Sequence, residues 1–236
     1  VGSVLDALEL RRRLGAARLY LVFTPEIVAS GDPLAALEAA LPHVDLVQVR
    51  PKPPERGLDP ARPALKPAVS DARAVHEWTL KVLELRELTR SQALVIVNDR
   101  VDVARCLLER GVAGVHVGQD DTPPRVAREL LGTDPLVGLS THSSAQVVLA
   151  LEEPVDYLGF GPVRATATKG YERGLGAEAA WIVSQAATVP VFPIGGIGLA
   201  EAADLAEVGR AALSSAILNA PDPAAAARAL RAALET

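Results

Sequence analysis

Residues 93–117 read ALVIVNDRVDVARCLLERGVAGVHV. The stretch opens on a short branched apolar run, 93–98. It passes through Asn98-Asp99-Arg100 into a segment of helical period, 101–110, and returns at Gly114 to a second apolar run, Gly114-Val115-His116-Val117. Short runs that are nearly continuously apolar suit parallel strands buried on both faces. The unit is therefore strand, helix, parallel strand.

The same rhythm continues in both directions. Further strands are expected at 18–24, 44–50, 136–139, 155–160, 190–194 and 211–214. Helices are expected at 33–41, 72–89, 101–110, 123–131, 143–151, 177–187, 199–208 and 223–234. Asp32 before Pro33, Thr122 before Pro123 and Asp222 before Pro223 each read as a cap residue followed by Pro at the first helical position. Eight such β-then-α units predict an α/β protein, a single-domain (β/α)8 TIM barrel over 1–236. The alternative is a doubly wound open sheet. Its usual Gly-x-Gly-x-x-Gly after the first strand is missing. Residues 1–15 read as an extra N-terminal helix. The segment 51–68 holds prolines at 51, 53, 54, 60, 63 and 67, which exclude helix and central strand. It starts where the second strand ends and is expected as an active-site loop.

Composition sets the outer limits. The 236 residues are 49% hydrophobic, with a formal net charge of -5. That balance argues against nucleic acid as a partner recognised by overall charge. No apolar run is long enough to span a membrane. Glu9 with Arg11, Arg12 and Arg13 lacks the basic-then-apolar order of a signal peptide. The lone Cys106 suits a reducing compartment, so a cytoplasmic location is expected. A homo-oligomer is compatible with all of this. Of 24 basic residues only Lys52, Lys66, Lys81 and Lys169 are lysine. Each lysine in so Arg-rich a chain raises a question of purpose.

In a barrel the chemistry sits where strands end. The second strand ends Gln48-Val49-Arg50-Pro51-Lys52. Alternation puts Gln48 and Arg50 on one face, and an amide with two cations suits a polyanion. The third strand ends at Asn98 and Asp99, the fourth at His116-Val117-Gly118-Gln119-Asp120-Asp121. Asp99 and Asp121 would supply the one or two carboxylates that Mg²⁺ uses beside phosphate and water. Asp99 reads equally as an N-cap for the helix at Val101, and Asp120 competes with Asp121. After the fifth strand come Ser140, Thr141, His142 and Ser143, of which Ser143 is a cap candidate. His116 and His142 read more readily as structural hydrogen-bonders than as bases. The sixth strand leads to Thr166, Thr168 and Lys169, hydroxyls and a point charge that can close on an anion. Gly195-Gly196 after the seventh strand and Ser214-Ser215 after the eighth fit the phosphate site common to barrels. The mouth thus collects two anion sites and a metal site, suiting either two phosphorylated substrates or one bridging bisphosphate.

At these residues the sequence resembles the thiamine-phosphate synthase (thiamine-phosphate pyrophosphorylase) family. The resemblance rests on Gln48-x-Arg50-x-Lys52, Asn98-Asp99-Arg100, His116-x-Gly118-Gln119-x-Asp121, Ser140-Thr141-His142, Gly159-x-Gly161-Pro162, Thr166-x-Thr168-Lys169, Gly195-Gly196-Ile197 and Ser215-Ala216-Ile217. It implies a transferase that joins 4-amino-2-methyl-5-hydroxymethylpyrimidine diphosphate to a thiazole phosphate, giving thiamine phosphate and pyrophosphate. By the resemblance Gln48, Arg50, Lys52 and Asn98 would hold the pyrimidine diphosphate, and Lys169 would reach its pyrophosphate. Asp99 and Asp121 would bind Mg²⁺. Ser140 would sit by the pyrimidine. Thr166 and Thr168 would contact the thiazole phosphate, with Gly196 and Ser215 on its phosphate. Lys169, Arg50 and Ser140 would be the catalytic group. The sequence departs from the family in a longer stretch after Lys52, a few extra residues between Asp99 and Asp121, and Arg164-Ala165 in place of an aromatic and a Pro. The alternatives are a thiazole tautomerase-like paralogue and a non-catalytic barrel that binds a phosphorylated ligand. An aldolase or isomerase barrel would need a Schiff-base lysine or an acid–base pair, and neither stands out.

Overall fold

A computed structural model describes residues 6–52, 72–164 and 174–235. Its strands are β1 (Leu19–Phe23), β2 (Leu46–Val49), β3 (Leu94–Asn98), β4 (Val112–Val117), β5 (Leu136–Thr141), β6 (Tyr157–Phe160), β7 (Val191–Pro193) and β8 (Ala211–Leu213). All pair in parallel, in the order β7-β6-β5-β4-β3-β2-β1-β8. Closure between β7 and β8 comes down to one bridge, Ile194 to Ala212. The sheet is thus the expected (β/α)8 barrel, and all eight runs read as strands are strands.

The helices are α1 (Ala7–Ala16), α2 (Pro33–Ala40), α3 (Ala72–Leu88), α4 (Val101–Leu107), α5 (Pro124–Leu131), α6 (Ser144–Ala150), α7 (Ala177–Ala186), α8 (Leu199–Asp204), α9 (Ser215–Leu218) and α10 (Pro223–Leu234). The short α9 is an element the periodicity does not reveal. Asp32 and Asp222 cap as expected, accepting from the backbone N–H of Leu34 and Ala225 at 2.9 Å each. Ser143 likewise caps α6. Thr122 does not cap: α5 starts one residue later, and Pro123 itself is the N-cap. Asp99 is not a cap either. Arg100 holds that place before α4, without a side-chain cap bond. Two helices are shorter than expected. The helical run from Val101 ends at Leu107 and tightens into a 3₁₀ turn before Gly111, whose φ is +99°. The run from Leu199 stops at Asp204.

Strand alternation divides the apolar residues into two cores. Outward-facing residues such as Leu21, Val47, Val95, Val115, Val137, Leu158 and Leu213 pack under the helices. Inward-facing Tyr20, Val22, Leu46, Leu94, Ile96, Leu136, Tyr157, Phe192 and Ala212 fill the barrel. Leu10, Leu14 and Ala17 belong to that inner core. The N-terminal helix, α1, therefore plugs the end of the barrel where strands begin. Arg11 fixes it from outside, reaching the Thr133 carbonyl at 2.9 Å and the Asp156 carboxylate at 3.0 Å. Asp156 is half-buried, with its side chain only 8% exposed, and it also accepts from the Val137 N–H at 2.8 Å and from Arg128 at 2.6 Å. With one end sealed, the end where strands finish is left for chemistry.

Candidate active site

The inward phase of each strand carries the polar residues of the mouth. Val22 pairs in register with Gln48, Gln48 with Ile96, Asn98 with His116, and Ser140 with Gly159. Gln48, Asn98 and His116 are buried, and Ser140 is half-buried. Each buried polar group needs a partner. Gln48 donates from Nε2 to the Tyr20 hydroxyl at 2.7 Å. Asn98 donates from Nδ2 to Asp99 Oδ2 at 2.6 Å. His116 sits between Tyr157 Oη, 3.2 Å from Nδ1, and Ser140 Oγ, 2.9 Å from Nε2.

Asp99 is the focus of charge. It leaves β3 with φ +58°, a left-handed conformation rare for a residue with a Cβ. Its backbone N–H donates to the His116 carbonyl at 2.8 Å, tying it to β4. The same strand end brings Asp121, whose Oδ2 accepts from the Gly118 N–H at 2.9 Å. Burial pushes the Asp99 carboxyl up to about 7, helped by the charge of Asp121 within hydrogen-bonding reach. Arg50 acts in the opposite sense, lowering it, so its cation also bears on this spot. Asp120 is exposed. The structure thus brings Asp121, not Asp120, to Asp99.

Two carboxylates converging in a partly buried place repel each other unless a proton or a cation comes between them. Among the described residues no three His, Cys, Asp or Glu side chains gather into a ready-made metal cage. A pair fits Mg²⁺, which keeps water and substrate phosphate as its remaining ligands.

The other expected residues fall as follows. Lys52 is exposed, and its backbone N–H donates to Glu26 Oε2 at 2.9 Å. The loop beyond it lies outside the described residues, as do Thr166, Thr168 and Lys169. Gly195 and Gly196 both take positive φ, +98° and +66°, and a Cβ on Gly195 would stand 2.7 Å from Pro162 Cβ. The turn requires glycine there. Across the β7–β8 closure Ser215 opens α9, while Ser214 turns its hydroxyl to the Val22 carbonyl at 2.6 Å. Gly196 and Ser215 are exposed at the mouth. His142 is structural, 2.6 Å from the Gly161 carbonyl. Lys81 lies on α3 over the Trp78 ring at 4.4 Å, and that ring packs edge-on against Phe23, the last residue of β1. Tyr20 and Tyr157 were not among the expected site residues. A signal was available: a Tyr in a strand buried on both sides must find its hydroxyl a partner inside the barrel.

Comparison with known proteins agrees with this geometry. The family model described as thiamine monophosphate synthase matches residues 19–217. The chain belongs to the thiamine monophosphate synthase family. The thiamine-phosphate synthase of Anaeromyxobacter dehalogenans is 40% identical over 231 residues, 95% of this chain and 90% of that protein. That of Synechococcus sp. (strain CC9605) is 39% identical over 222 residues, 92% of this chain. The chain spans only 56% of that relative's length. Among solved structures, thiamine phosphate pyrophosphorylase from Pyrococcus furiosus superposes with a TM-score of 0.72 at 27% identity, over 96% of this chain and 98% of that one. The family match begins at Leu19, the first residue of β1, so α1 lies before it.

Proposed function

We propose that this chain is a thiamine-phosphate synthase. It joins 4-amino-2-methyl-5-hydroxymethylpyrimidine diphosphate to a thiazole phosphate and releases pyrophosphate. The observation that carries the reading is the pair Asp99 and Asp121, drawn together beside Asn98 and under the influence of Arg50. A tautomerase-like paralogue or a passive phosphate binder has no use for a facing carboxylate pair.

The reaction asks little of the protein in proton chemistry. The C–O bond to the diphosphate breaks, and its electron pair leaves with pyrophosphate. The pyrimidine-methyl cation that remains is stabilised by the ring amino group. The thiazole nitrogen then gives its lone pair to that carbon, forming the C–N bond. The chain must neutralise the leaving group and hold both partners in line. Arg50, Lys52 and Lys169 are the cations for the first task, with Gln48 and Asn98 orienting the pyrimidine diphosphate. Asp99 and Asp121 would hold Mg²⁺, which when bound supplies positive charge to the departing pyrophosphate. Ser140 lies at the pyrimidine. Thr166, Thr168, Gly196 and Ser215 receive the thiazole phosphate. A cytoplasmic setting is part of this reading; Cys106 is a free, exposed thiol, and among the described residues no helix is long and apolar enough to cross a membrane.

The test is direct. Purified protein is supplied with both substrates and Mg²⁺, and product is oxidised to fluorescent thiochrome. Thiamine phosphate formed in step with pyrophosphate is expected. Absence of product with every thiazole phosphate form offered would end the reading.

A further inference from the structure

Five side chains from five strands form one continuous hydrogen-bonded line across the barrel. Gln48 Nε2 lies 2.7 Å from Tyr20 Oη. Tyr20 Oη lies 2.9 Å from Tyr157 Oη. Tyr157 Oη lies 3.2 Å from His116 Nδ1, and His116 Nε2 lies 2.9 Å from Ser140 Oγ. No step of the proposed reaction uses the two tyrosines. Yet they are fully buried in a barrel otherwise filled by apolar groups.

The line has a direction, because one end has no choice. An amide nitrogen donates and cannot accept. Tyr20 oxygen therefore accepts from Gln48, and its own buried hydrogen, with no other acceptor among the described residues, goes on to Tyr157. Burial pushes the pKa of both phenols well above their ordinary range, so each keeps its proton to pass along the line. Tyr157 in turn donates to Nδ1 of His116. An Nδ1 that accepts leaves the ring hydrogen on Nε2, from which it is donated to Ser140 Oγ. The Ser140 hydroxyl, its oxygen already accepting, has its hydrogen left over. Among the described residues that hydroxyl has no other side-chain hydrogen bond.

The barrel is shaped to hold the line. Gly138 stands opposite His116 in register. A Cβ there would come within 2.2 Å of Tyr157 Cζ and 2.6 Å of His116 Nδ1. The space that a side chain of β5 would fill is the space in which Tyr157 meets His116. Edge-on contacts lock the rings further: Tyr20 and Tyr157 each meet Phe192, at centroid distances of 5.4 and 5.8 Å.

We infer that Tyr20, Tyr157 and His116 are positioning residues that set the polarity of the substrate pocket: they hold His116 as the Nε2–H tautomer and present Ser140 as a hydrogen-bond donor, while Gln48 keeps its carbonyl oxygen as an acceptor. The two ends of the line then match a heteroaromatic ring bearing an acceptor nitrogen beside an amino donor. This rests on the pyrimidine reading given above for the substrate, but the state of the line does not depend on it.

Nitrogen-15 NMR of the full chain, labelled at histidine and without substrates, reads the tautomer of His116, assigned by its absence in His116→Gln. A single Nε2–H form is expected; an Nδ1–H form overturns the inference. Tyr157→Phe keeps the ring and removes the donor to Nδ1. It should leave a mixture of tautomers. It should also lower kcat/KM for the pyrimidine diphosphate by about tenfold, the size of one lost hydrogen bond. An analogue with the ring nitrogen beside the amino group replaced by C–H should lose a similar factor with wild type and little more with Tyr157→Phe. An unchanged tautomer in Tyr157→Phe, or full additivity of the two losses, overturns the inference. If Tyr157→Phe does not fold, the wild-type tautomer still decides. If the wild type forms no thiamine phosphate, the proposed activity falls while the NMR result still judges the line.

Discussion

The carboxyl groups of Asp99 and Asp121 face each other at the ends of adjacent strands, and the burial of Asp99 turns their closeness into stored repulsion. Asp99 is held in a left-handed backbone conformation that serves no capping purpose. A fold tolerates such an arrangement when the site needs it. Its consequences can be measured.

The first concerns pH. The Asp99 carboxyl is raised from its ordinary value of 3.8 to about 7 in the folded chain. Between those values the folded state binds a proton that the unfolded state has lost. Its stabilising share is therefore complete below the ordinary value and disappears as pH rises through about 7. In chelator, the melting temperature should fall from pH 5 to pH 8, and Asp99→Asn should flatten that fall. Mg²⁺ should raise the melting temperature more at pH 8 than at pH 6, since the cation competes with the proton. Equal Mg²⁺ effects at both pH values would count against the carboxylate site.

Asp121→Ala separates stability from activity. Removing one charge of a repelling pair should leave the metal-free protein at least as stable near pH 8 as the wild type, measured by urea unfolding. Turnover at fixed Mg²⁺ should fall by roughly 100-fold or more, the scale on which one preorganised charge-stabilising contact acts. Wild-type turnover in this variant would refute the site assignment.

Gly138→Ala tests the crowding inside the barrel. The added methyl would overlap Tyr157 and His116 and has no flexible neighbour to displace. Overpacking of this kind costs about 1–3 kcal/mol. Urea midpoints should show that loss, and the near-ultraviolet signal of the buried tyrosines should change with it.

Leu14→Ala probes the opposite end. Leu14 is 2% exposed and belongs to the inner core at the sealed mouth. Its truncation should cost about 2–5 kcal/mol in unfolding free energy. Turnover per folded molecule should stay near that of the wild type, because α1 plugs the end away from Asp99 and Ser140. A selective loss of turnover without a loss of stability would contradict the placement of α1 as a plug.

The barrel was legible in the chain because its cause is local and repeats. Each unit such as 93–117 carries its own apolar strand, its own helical period and its own turn, and eight of them leave few ways to close. Cap positions such as Asp32 and Asp222 were legible for the same reason. Thr122 misled because Pro123 takes the cap position itself, and no short pattern distinguishes a cap from the residue before it. The candidate residues Gln48, Asn98 and Ser140 could be named because alternation and the polarity of the barrel say which side chains reach the mouth; Asp121, beyond the end of β4, could be preferred to Asp120 only through the motif it shares with the family.

What the sequence alone determined, then, was the succession of strands and helices, the end of the barrel at which polar groups gather, and the family whose motifs those groups match. Tertiary structure alone decided which of them touch. Asp121 rather than Asp120 meets Asp99, because one residue of turn rotates a carboxylate by a large angle and nothing local records the result. Tyr20 and Tyr157, separated by 137 positions, share a hydrogen bond only because β1 and β6 face each other across a closed sheet. Contacts across the barrel depend on where the sheet closes. Closure here rests on a single bridge, Ile194 to Ala212, to which each strand contributes its twist and none its sequence alone.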